Sequence, residues 1–522
     1  MTNPFDSLPR YAPFALVLGL VTLAFALGLG NHGPIPSMEP RFAVAIQQML
    51  LHNQWLLPVK NGLPYIEYPP FYFWMALVFA KAGLPTLVAI RLPNLIALWL
   101  LGAAAYGLGR HLLPALPRWL LAAAAIASPA LLYNFFIAQT DGWLVAGTAL
   151  ALWGYLRHRE RTVRLDRAGF PWMLWIGTVL AIFAKGPVGL IVIALAIGGD
   201  LLIEAAVTPR GWRALPAAIW RLALLRGIAL ALAPLAAWYL ACGVVVGWDF
   251  VRAAFVYGNI TRFIAGAGGH NNPWWLFART FWGDYFPWSI AFPFGLILAA
   301  RRLDQPGLRL ALAWSVTTLV FFSISASKQS KYILPAIPAF VALGLYAYAA
   351  ALHKWRRWFT RGALTWTCAV LLLFVGLVAI WLPSKSAAIV DQADFTRFKS
   401  IVADAPGEVY MYRWPKSLVL WQLGAPMPYF RDARTLYAAI ASGRIEPGAY
   451  VLVSETDLAK HGARGALTLK PAPAPPYFEY VMHISTKGGI RAYRVMPGAA
   501  TLPAPPTPQP PPAPWWTRFD TD

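Results

Sequence analysis

Acidic and basic side chains, with one histidine, occur in six separate stretches of this sequence. Carboxylates near a histidine suit a metal site with oxygen and nitrogen ligands. Lysine and arginine suit a phosphate, and aromatic rings suit sugar faces or lipid chains. The residues concerned are Glu39, Arg41, Tyr65, Glu67, Tyr68, Asp141, Lys185, Arg262, His270, Asp284, Lys328, Lys331 and Tyr332. If they converge, they would line a cavity suited to group transfer from a phosphate-linked lipid.

Each of these residues also has an ordinary structural interpretation. Glu39 and Arg41 could form a local ion pair, and Asp141 could cap a helix. A single lysine beside an apolar run more often extends toward the membrane interface than binds a ligand. Glu67 is harder to explain in this way, because it precedes two prolines and an aromatic run at membrane depth. A carboxylate there is costly unless it is paired, liganded or facing water.

The composition places these residues in a membrane protein. The 522-residue chain is 58% hydrophobic and only 13% charged, whereas soluble domains carry about 25% charged residues. The net charge of +22 resides in short basic clusters between apolar runs, which is typical of cytoplasmic loops and argues against nucleic-acid binding. Two cysteines, both in apolar runs, exclude a disulfide framework and a thiolate metal site.

Apolar runs predict eleven transmembrane helices, with the N-terminus inside. Basic clusters at 110–118, 157–167, 210–226, 301–309 and 353–361 then fall inside, as expected for cytoplasmic loops. Residues 70–83 are too short to span and are predicted to lie at the interface. The first run lacks a cleavage site, so we expect it to be retained. The predicted spans are 12–30, 88–109, 118–136, 140–156, 171–184, 187–206, 223–245, 285–300, 307–325, 332–352 and 363–382.

This topology divides the chain into three regions. Residues 1–383 form the membrane domain, with 31–87 as a first outer loop containing interfacial helices. Residues 384–496 form a small outer α/β domain, because short β-like runs alternate with helix-compatible segments. Residues 497–522 are a proline-rich tail that we expect to be extended or disordered. All the candidate site residues then fall on the non-cytoplasmic side.

The order of these motifs resembles the bacterial aminoarabinose transferase and protein O-mannosyltransferase-like superfamily, which are membrane glycosyltransferases of the GT-C fold. The similarity covers roughly residues 10–350, and the ordered set carries it rather than any single motif. The motifs are Glu39-x-Arg41-Phe42, Tyr65-x-Glu67-x-Pro69-Pro70, Asp141, Lys185-Gly186-Pro187, Arg262-Phe263 with His270-x-x-Pro273-Trp274-Trp275, and Lys331-Tyr332-x-Leu334-Pro335.

The resemblance implies transfer of a sugar, usually with inversion, from a polyprenyl-phosphate donor to a lipid A, glycan or protein acceptor at the periplasmic face. No nucleotide cofactor is expected. A divalent metal (Zn, Mg or Mn) is a candidate cofactor. Glu67 and His270 would bind it, and the candidate catalytic carboxylates are Glu39, Glu67 and Asp141. The candidate substrate contacts, with Lys185, Arg262 and Lys331 as the phosphate contacts, are Arg41, Tyr65, Tyr68, Lys185, Arg262, Lys328, Lys331 and Tyr332.

Two positions depart from the family pattern. Met38 stands where the first motif usually has an aspartate, and Tyr68 stands where the aminoarabinose-type members commonly have a lysine. The first change removes the carboxylate most often proposed as the base. Glu39 or Asp141 could replace it, the acceptor could be a phosphate that needs no base, or the enzyme could be inactive.

The sequence therefore favours a monomeric, multi-pass inner-membrane glycosyltransferase that contacts membrane lipids. A transporter or flippase of a lipid-linked sugar is the alternative from another class. Transporters place charges near the bilayer midplane and often have internal repeats, whereas here the charges lie at the outer edge and no repeat is evident. A scaffold that displays the outer domain would leave the Glu67 cluster unexplained.

Overall fold

Helices dominate the computed structural model of the protein. It describes residues 11–35, 38–165, 169–209, 211–261, 264, 272–384, 392–413, 416–455, 478–486 and 489–496. A helix occupies the position of each of the eleven predicted spans. Six of them are long and apolar enough to cross a membrane, or seven when a bent pair counts as one span. The polytopic helical membrane fold is therefore confirmed, and the number of crossings stays a prediction.

The membrane part is built in chain order from a series of helices interrupted by one small hairpin. The elements are α1 (Ala12–Gly28), α2 (Glu39–Leu51), β1 (Val59–Lys60), β2 (Leu63–Pro64), α3 (Phe71–Lys81), α4 (Thr86–Leu112), α5 (Arg118–Ile126), α6 (Pro129–Phe136), α7 (Asp141–Leu165), α8 (Trp172–Lys185), α9 (Val188–Val207), α10 (Gly211–Arg221), α11 (Leu224–Val245), α12 (Trp248–Arg252), a π-helix (Ala253–Thr261), α13 (Leu276–Asp284), α14 (Trp288–Ala300), α15 (Pro306–Ile324), a 3₁₀ helix (Ser330–Ala336), α16 (Ile337–Ala351), a 3₁₀ turn (His353–Trp355), α17 (Arg356–Gly376) and a second π-helix (Leu377–Trp381). One continuous apolar core joins these elements.

The predicted span at 118–136 is a pair of helices rather than one rod. Helices α5 and α6 meet at an angle of 64°. The break lies at Ser128-Pro129, where Ser128 has an extended conformation with ψ 131°. A proline disfavours the helical conformation of the residue before it, and it has no N–H for a helical hydrogen bond. The kink turns α6 toward the functional cavity described below.

The C-terminal part contains a five-stranded mixed sheet in the order β4-β3-β5-β7-β6. Three strands coincide with β-like runs predicted from the sequence, and the two helices predicted between them are present. The elements are α18 (Gln392–Asp404), β3 (Val409–Tyr412), α19 (Ser417–Leu423), β4 (Tyr429–Phe430), α20 (Ala433–Ala441), β5 (Tyr450–Ser454), β6 (Phe478–Ile484) and β7 (Ile490–Val495). The domain boundary at 384 and the outer location of this sheet stay predictions.

Successive residues of the central strands point to opposite faces of the sheet, and each face has its own core. Val451 and Val453 belong to one cluster, and Leu452 belongs to the other. The second cluster includes Val44 from α2, which is 1% exposed. The sheet therefore packs directly against the segment that begins the first predicted outer loop.

Candidate active site

A cavity of about 1110 Å³ lies where the predicted outer ends of the helices meet. Its wall draws on the start of α2, the loop after β2, helices α6 to α9, the first π-helix, α13 and the 3₁₀ helix before α16. Part of the wall is apolar and part carries charge. Seven of the residues predicted from the sequence line it: Arg41, Glu67, Tyr68, Lys185, Asp284, Lys331 and Tyr332.

Two lysines share one buried carboxylate at the charged wall. The ammonium group of Lys185 donates to Asp141 Oδ1, and Lys331 Nζ lies 3.5 Å from Asp141 Oδ2. Lys331 also donates to Gln139 Oε1 at 2.9 Å, and Lys185 Nζ lies 5.3 Å from the centre of the Tyr332 ring. Asp141 itself is 2% exposed. The cluster carries one net positive charge, because two ammonium groups face one carboxylate.

The packing of α7 against α8 brings Asp141 and Lys185 together. Asp141 is the first residue of α7 and Lys185 is the last residue of α8. A Cβ atom added to Gly147 would lie only 2.7 Å from the carbonyl oxygen of Gly177, so these helices approach closely only because both residues are glycine. An acid at a helix N-terminus and a base at a C-terminus also complement the helix dipoles.

A second charged pair lies on the segment before α3. Arg41 donates to Glu67 Oε1 at 3.2 Å, and both side chains are partly exposed. Tyr68 is 7% exposed and its ring lies 6.2 Å from that of Phe42 and 6.3 Å from that of Tyr65. Tyr65 does not line the cavity, and its ring packs near the ring of Tyr68. The result is a carboxylate and an aromatic ring presented side by side to the cavity.

Comparison with known proteins identifies relatives of this chain. No family model matches the sequence. Undecaprenyl phosphate-α-4-amino-4-deoxy-L-arabinose arabinosyl transferase from Pseudomonas paraeruginosa is 29% identical over 340 residues, which are 63% of this chain and 58% of the relative. The protein with that name from Pseudomonas aeruginosa strain LESB58 is 30% identical over 62% of this chain and 57% of its own length. This chain thus matches somewhat more than half the length of these curated relatives.

Solved structures match over more of the chain. ArnT from Cupriavidus metallidurans bound to undecaprenyl phosphate has a TM-score of 0.71 and 18% identity, covering 94% of this chain and 99% of its own. The oligosaccharyltransferase of Archaeoglobus fulgidus has a TM-score of 0.54 and 12% identity over 87% of this chain and 70% of its own. These likenesses show that the chain has the fold of ArnT and of this oligosaccharyltransferase, the GT-C fold. The resemblance found in the sequence motifs is therefore confirmed.

Glu39, one of the candidate catalytic carboxylates, lies off the cavity wall. It is fully buried and is not a lining residue of the cavity. Arg91 donates to both of its oxygens, at 3.0 and 2.8 Å, and the backbone N–H groups of Ile35 and Ala138 donate to them at 2.8 and 3.1 Å. The geometry gives Glu39 a supporting position, in which it anchors the start of α2 to α4.

Three further candidates from the sequence are Lys328, Arg262 and His270. Lys328 is 6% exposed and does not line the cavity, although its carbonyl oxygen accepts a hydrogen bond from Asn272 at 2.9 Å. Arg262 and His270 lie outside the described residues. In the described part of the chain, no group of three His, Cys, Asp or Glu side chains could hold a metal. Glu67, the described member of the predicted metal pair, has Arg41 as its neighbour.

The sequence analysis missed several polar residues of the site. Arg91 is buried within an apolar helix, and an arginine in such a run is by itself a functional or structural signal. Gln139 adjoins Asp141 in sequence and binds Lys331. Arg279, on α13, lines the cavity, and no pattern of spacing marks it. Asp284, already a candidate from the sequence, also lines the cavity, and burial raises the pKa of this carboxyl, while Thr280 lowers it by a smaller amount.

Proposed function

We propose that the protein transfers a sugar from a polyprenyl-phosphate donor to an acceptor at the periplasmic face of the bacterial inner membrane. The acceptor would be lipid A, a glycan or a protein. The similarity to aminoarabinose transferases and the GT-C fold support this proposal. The cluster of Asp141, Lys185 and Lys331 at the cavity wall carries it, because that cluster suits the chemistry of a phosphate leaving group.

Charge complementarity favours a donor with a single phosphate. Each phosphodiester carries one negative charge, and the cluster carries one positive charge. When the bond between the anomeric carbon and the phosphate oxygen breaks, the polyprenyl phosphate gains a second negative charge. Fixed ammonium groups that face this developing charge stabilise the transition state more than the bound donor. The acceptor oxygen forms the new bond to the anomeric carbon.

Among the three candidate catalytic carboxylates, Glu67 is the one that lines the cavity. We therefore assign it the role of base for a hydroxyl acceptor, while Asp141 holds the two lysines in place. An acceptor phosphate would be an anion already and would need no base. A divalent ion (Zn, Mg or Mn) bound by Glu67 and His270, a monomeric state and a periplasmic location of the C-terminal sheet are further parts of this proposal.

Transfer can be tested with the full-length protein reconstituted in lipid vesicles. An undecaprenyl-phosphate-linked pentose or hexose would be the donor and lipid A the acceptor, with products measured by mass spectrometry. Lys331→Met should lower turnover by about 100-fold or more, because it removes one preorganised charge from the leaving group. Lys81→Met is the matched control, since Lys81 is exposed and pairs with Asn53 at 2.6 Å, away from the cavity.

Two outcomes would overturn the proposal. The first is equal turnover in the Lys331 and Lys81 variants. The second is movement of a labelled lipid-linked sugar across the vesicle membrane without any transfer product, which would favour the flippase. Protein and glycan acceptors assayed in parallel would identify the acceptor class if lipid A gives no product.

A further inference from the structure

A tight hairpin precedes the cavity residues of the first predicted outer loop. Strands β1 and β2 pair Val59 with Pro64 and Lys60 with Leu63. The two residues at the turn, Asn61 and Gly62, have φ values of 53° and 73°. Positive φ at both turn positions is the signature of a type I′ turn, for which Asn-Gly is the preferred sequence. Three residues after Pro64 the chain reaches Glu67 and then Tyr68.

This hairpin is too small to hold its own position. Each strand has two residues, and even a longer two-stranded hairpin is only marginally stable in isolation. The membrane side supplies one bond at the turn, from the Gly62 N–H to Gln48 Oε1 at 3.0 Å. Within the hairpin itself, the Tyr65 N–H donates to the Pro58 carbonyl at 2.9 Å. Tyr65, Ile66 and Tyr68, which lie beside Glu67, pack into the membrane core, so the turn of the hairpin is the part whose position depends on further contacts.

The C-terminal sheet supplies these contacts through Asn61. The side-chain amide of Asn61 donates to the carbonyl oxygen of Met427 at 3.0 Å, and the N–H of Met427 donates to Asn61 Oδ1 at 2.7 Å. Met427 is 4% exposed and belongs to the core that also contains Leu420 and Leu452. The partner of Asn61 lies in the loop between α19 and β4, and its burial in this core fixes its position against the sheet.

The same sheet also holds the other side of the charged pair. Val44 of α2 lies in the core of the sheet, and Arg41 lies one helical turn before it. Arg41 bonds Glu67. Both segments that bring this pair to the cavity are consequently attached to the same C-terminal core.

We propose that Asn61 is a positioning residue, through which the C-terminal sheet fixes the loop that presents Glu67 and Tyr68 to the cavity. This inference rests on the proposed transferase function for its kinetic test. A displacement of about 1 Å can lower turnover by about 100-fold without removing any catalytic group. Loss of this attachment should therefore lower kcat and leave the KM for the lipid donor nearly unchanged, since the Lys185 and Lys331 cluster lies on other helices.

Asn61→Gly isolates the attachment from the turn. Glycine keeps the positive φ that the turn requires, but it removes both bonds to Met427. Asn61→Asp should be intermediate, because its carboxylate still accepts from the Met427 N–H and can no longer donate to the carbonyl. Asn53→Gly is the matched control: Asn53 also has a positive φ, of 46°, and its side chain bonds Lys81 rather than the sheet.

The experiment measures kcat and KM for the three full-length variants, and hydrogen exchange of residues 59–69. For Asn61→Gly we expect at least a tenfold fall in kcat, and faster exchange of the Gly62 and Tyr65 amides, with Asn61→Asp between it and the wild type. Equal effects of Asn61→Gly and Asn53→Gly on kcat, or unchanged exchange, would overturn the inference. If the wild-type protein shows no transfer, the proposed function fails, and the exchange measurement still decides the role of Asn61.

Discussion

Asp141→Asn tests whether one carboxylate compensates both lysines of the cavity wall. Asp141 is almost fully buried, and Lys331 Nζ lies 3.5 Å from its Oδ2 atom. At an effective dielectric constant of about 20, one pair at this distance contributes about 5 kcal/mol of attraction before the cost of desolvation. Removal of one partner of a buried pair costs about 3–5 kcal/mol, because a charge stays buried without its counter-ion. We expect the variant to lose free energy of unfolding by that amount.

The double variant Asp141→Asn/Lys185→Met separates the broken pair from the lost side chain. It keeps the net charge of the wild-type cluster, and Lys331 keeps its hydrogen bond to Gln139. Replacement of a whole buried pair by uncharged groups is often close to neutral. The double variant should therefore recover most of the loss, with a coupling free energy of roughly 2–3 kcal/mol.

Unfolding in mixed micelles with increasing sodium dodecyl sulfate, followed by tryptophan fluorescence, measures these free energies. Asp200→Asn provides the control, because Asp200 is equally buried and pairs with Arg309 at 2.8 Å instead of with Lys185. Its effect should add to that of Lys185→Met within about 0.5 kcal/mol. If the effects of Asp141→Asn and Lys185→Met are additive to the same extent, Asp141 does not balance Lys185, and the charge argument for a single phosphate fails.

Four further predictions concern the site and its surroundings. Glu39→Gln should destabilise the protein by about 3–5 kcal/mol, by leaving Arg91 without its counter-ion, while turnover per folded molecule stays within about threefold; a 100-fold fall at unchanged stability would instead make Glu39 catalytic. Burial, and secondarily Arg91, lowers the pKa of His32 to about 4 from 6.5. The unfolded chain therefore binds the proton first, so stability should fall by up to about 3 kcal/mol as the pH drops from 6.5 to 4, and His32→Asn should flatten this dependence in thermal unfolding. Because the pKa of Asp284 is raised, its contribution to stability is present below the usual pKa of 3.8 and is lost as the pH rises through the folded-state pKa. The melting temperature of Asp284→Asn should accordingly be higher than that of the wild type at pH 7.5 and equal to it at pH 3.5. The same difference in melting temperature at both pH values would contradict the assignment. Glu67→Gln should abolish transfer to a hydroxyl acceptor at unchanged melting temperature, and full activity would show that Glu67 is not the base.

The convergence of Asp141, Lys185 and Lys331 could be predicted from the sequence for a physical reason. Each residue lies at the end of an apolar run, and the basic loops assign those ends to the same side of the membrane. In a compact bundle, helix ends that lie at the same membrane depth are close to one another. The sequence did not reveal which charges would pair, because that depends on the close packing of α7 and α8 through Gly147 and Gly177.

The interpretation of Glu39 illustrates the opposite case. Its neighbour Arg41 suggested a local ion pair, yet the true partner is Arg91 in the helix at 86–112, and Arg41 bonds Glu67 instead. A pattern of residue spacing does not identify ion-pair partners that lie far apart in the sequence. The break at Ser128-Pro129 is different, because the proline itself predicts it. Hydropathy alone joined α5 and α6 into one span, and attention to that dipeptide would have separated them.

Met38 and Tyr68 bear on the nature of the acceptor. Both line the cavity, and they are the two positions at which this sequence departs from the charged residues of the family pattern that it resembles. Among the described residues, the carboxylates on the cavity wall are Glu67 and Asp284, and Glu67 is held by Arg41. A general base contributes about 10²–10⁴-fold to rate, so the loss of one is costly for a hydroxyl acceptor and costs nothing for an acceptor that is already an anion. Arg279 also lines the cavity and would attract such an anion. A phosphate-bearing acceptor would therefore need no replacement for the acid that is missing at Met38, whereas a hydroxyl acceptor depends on Glu67 as its base.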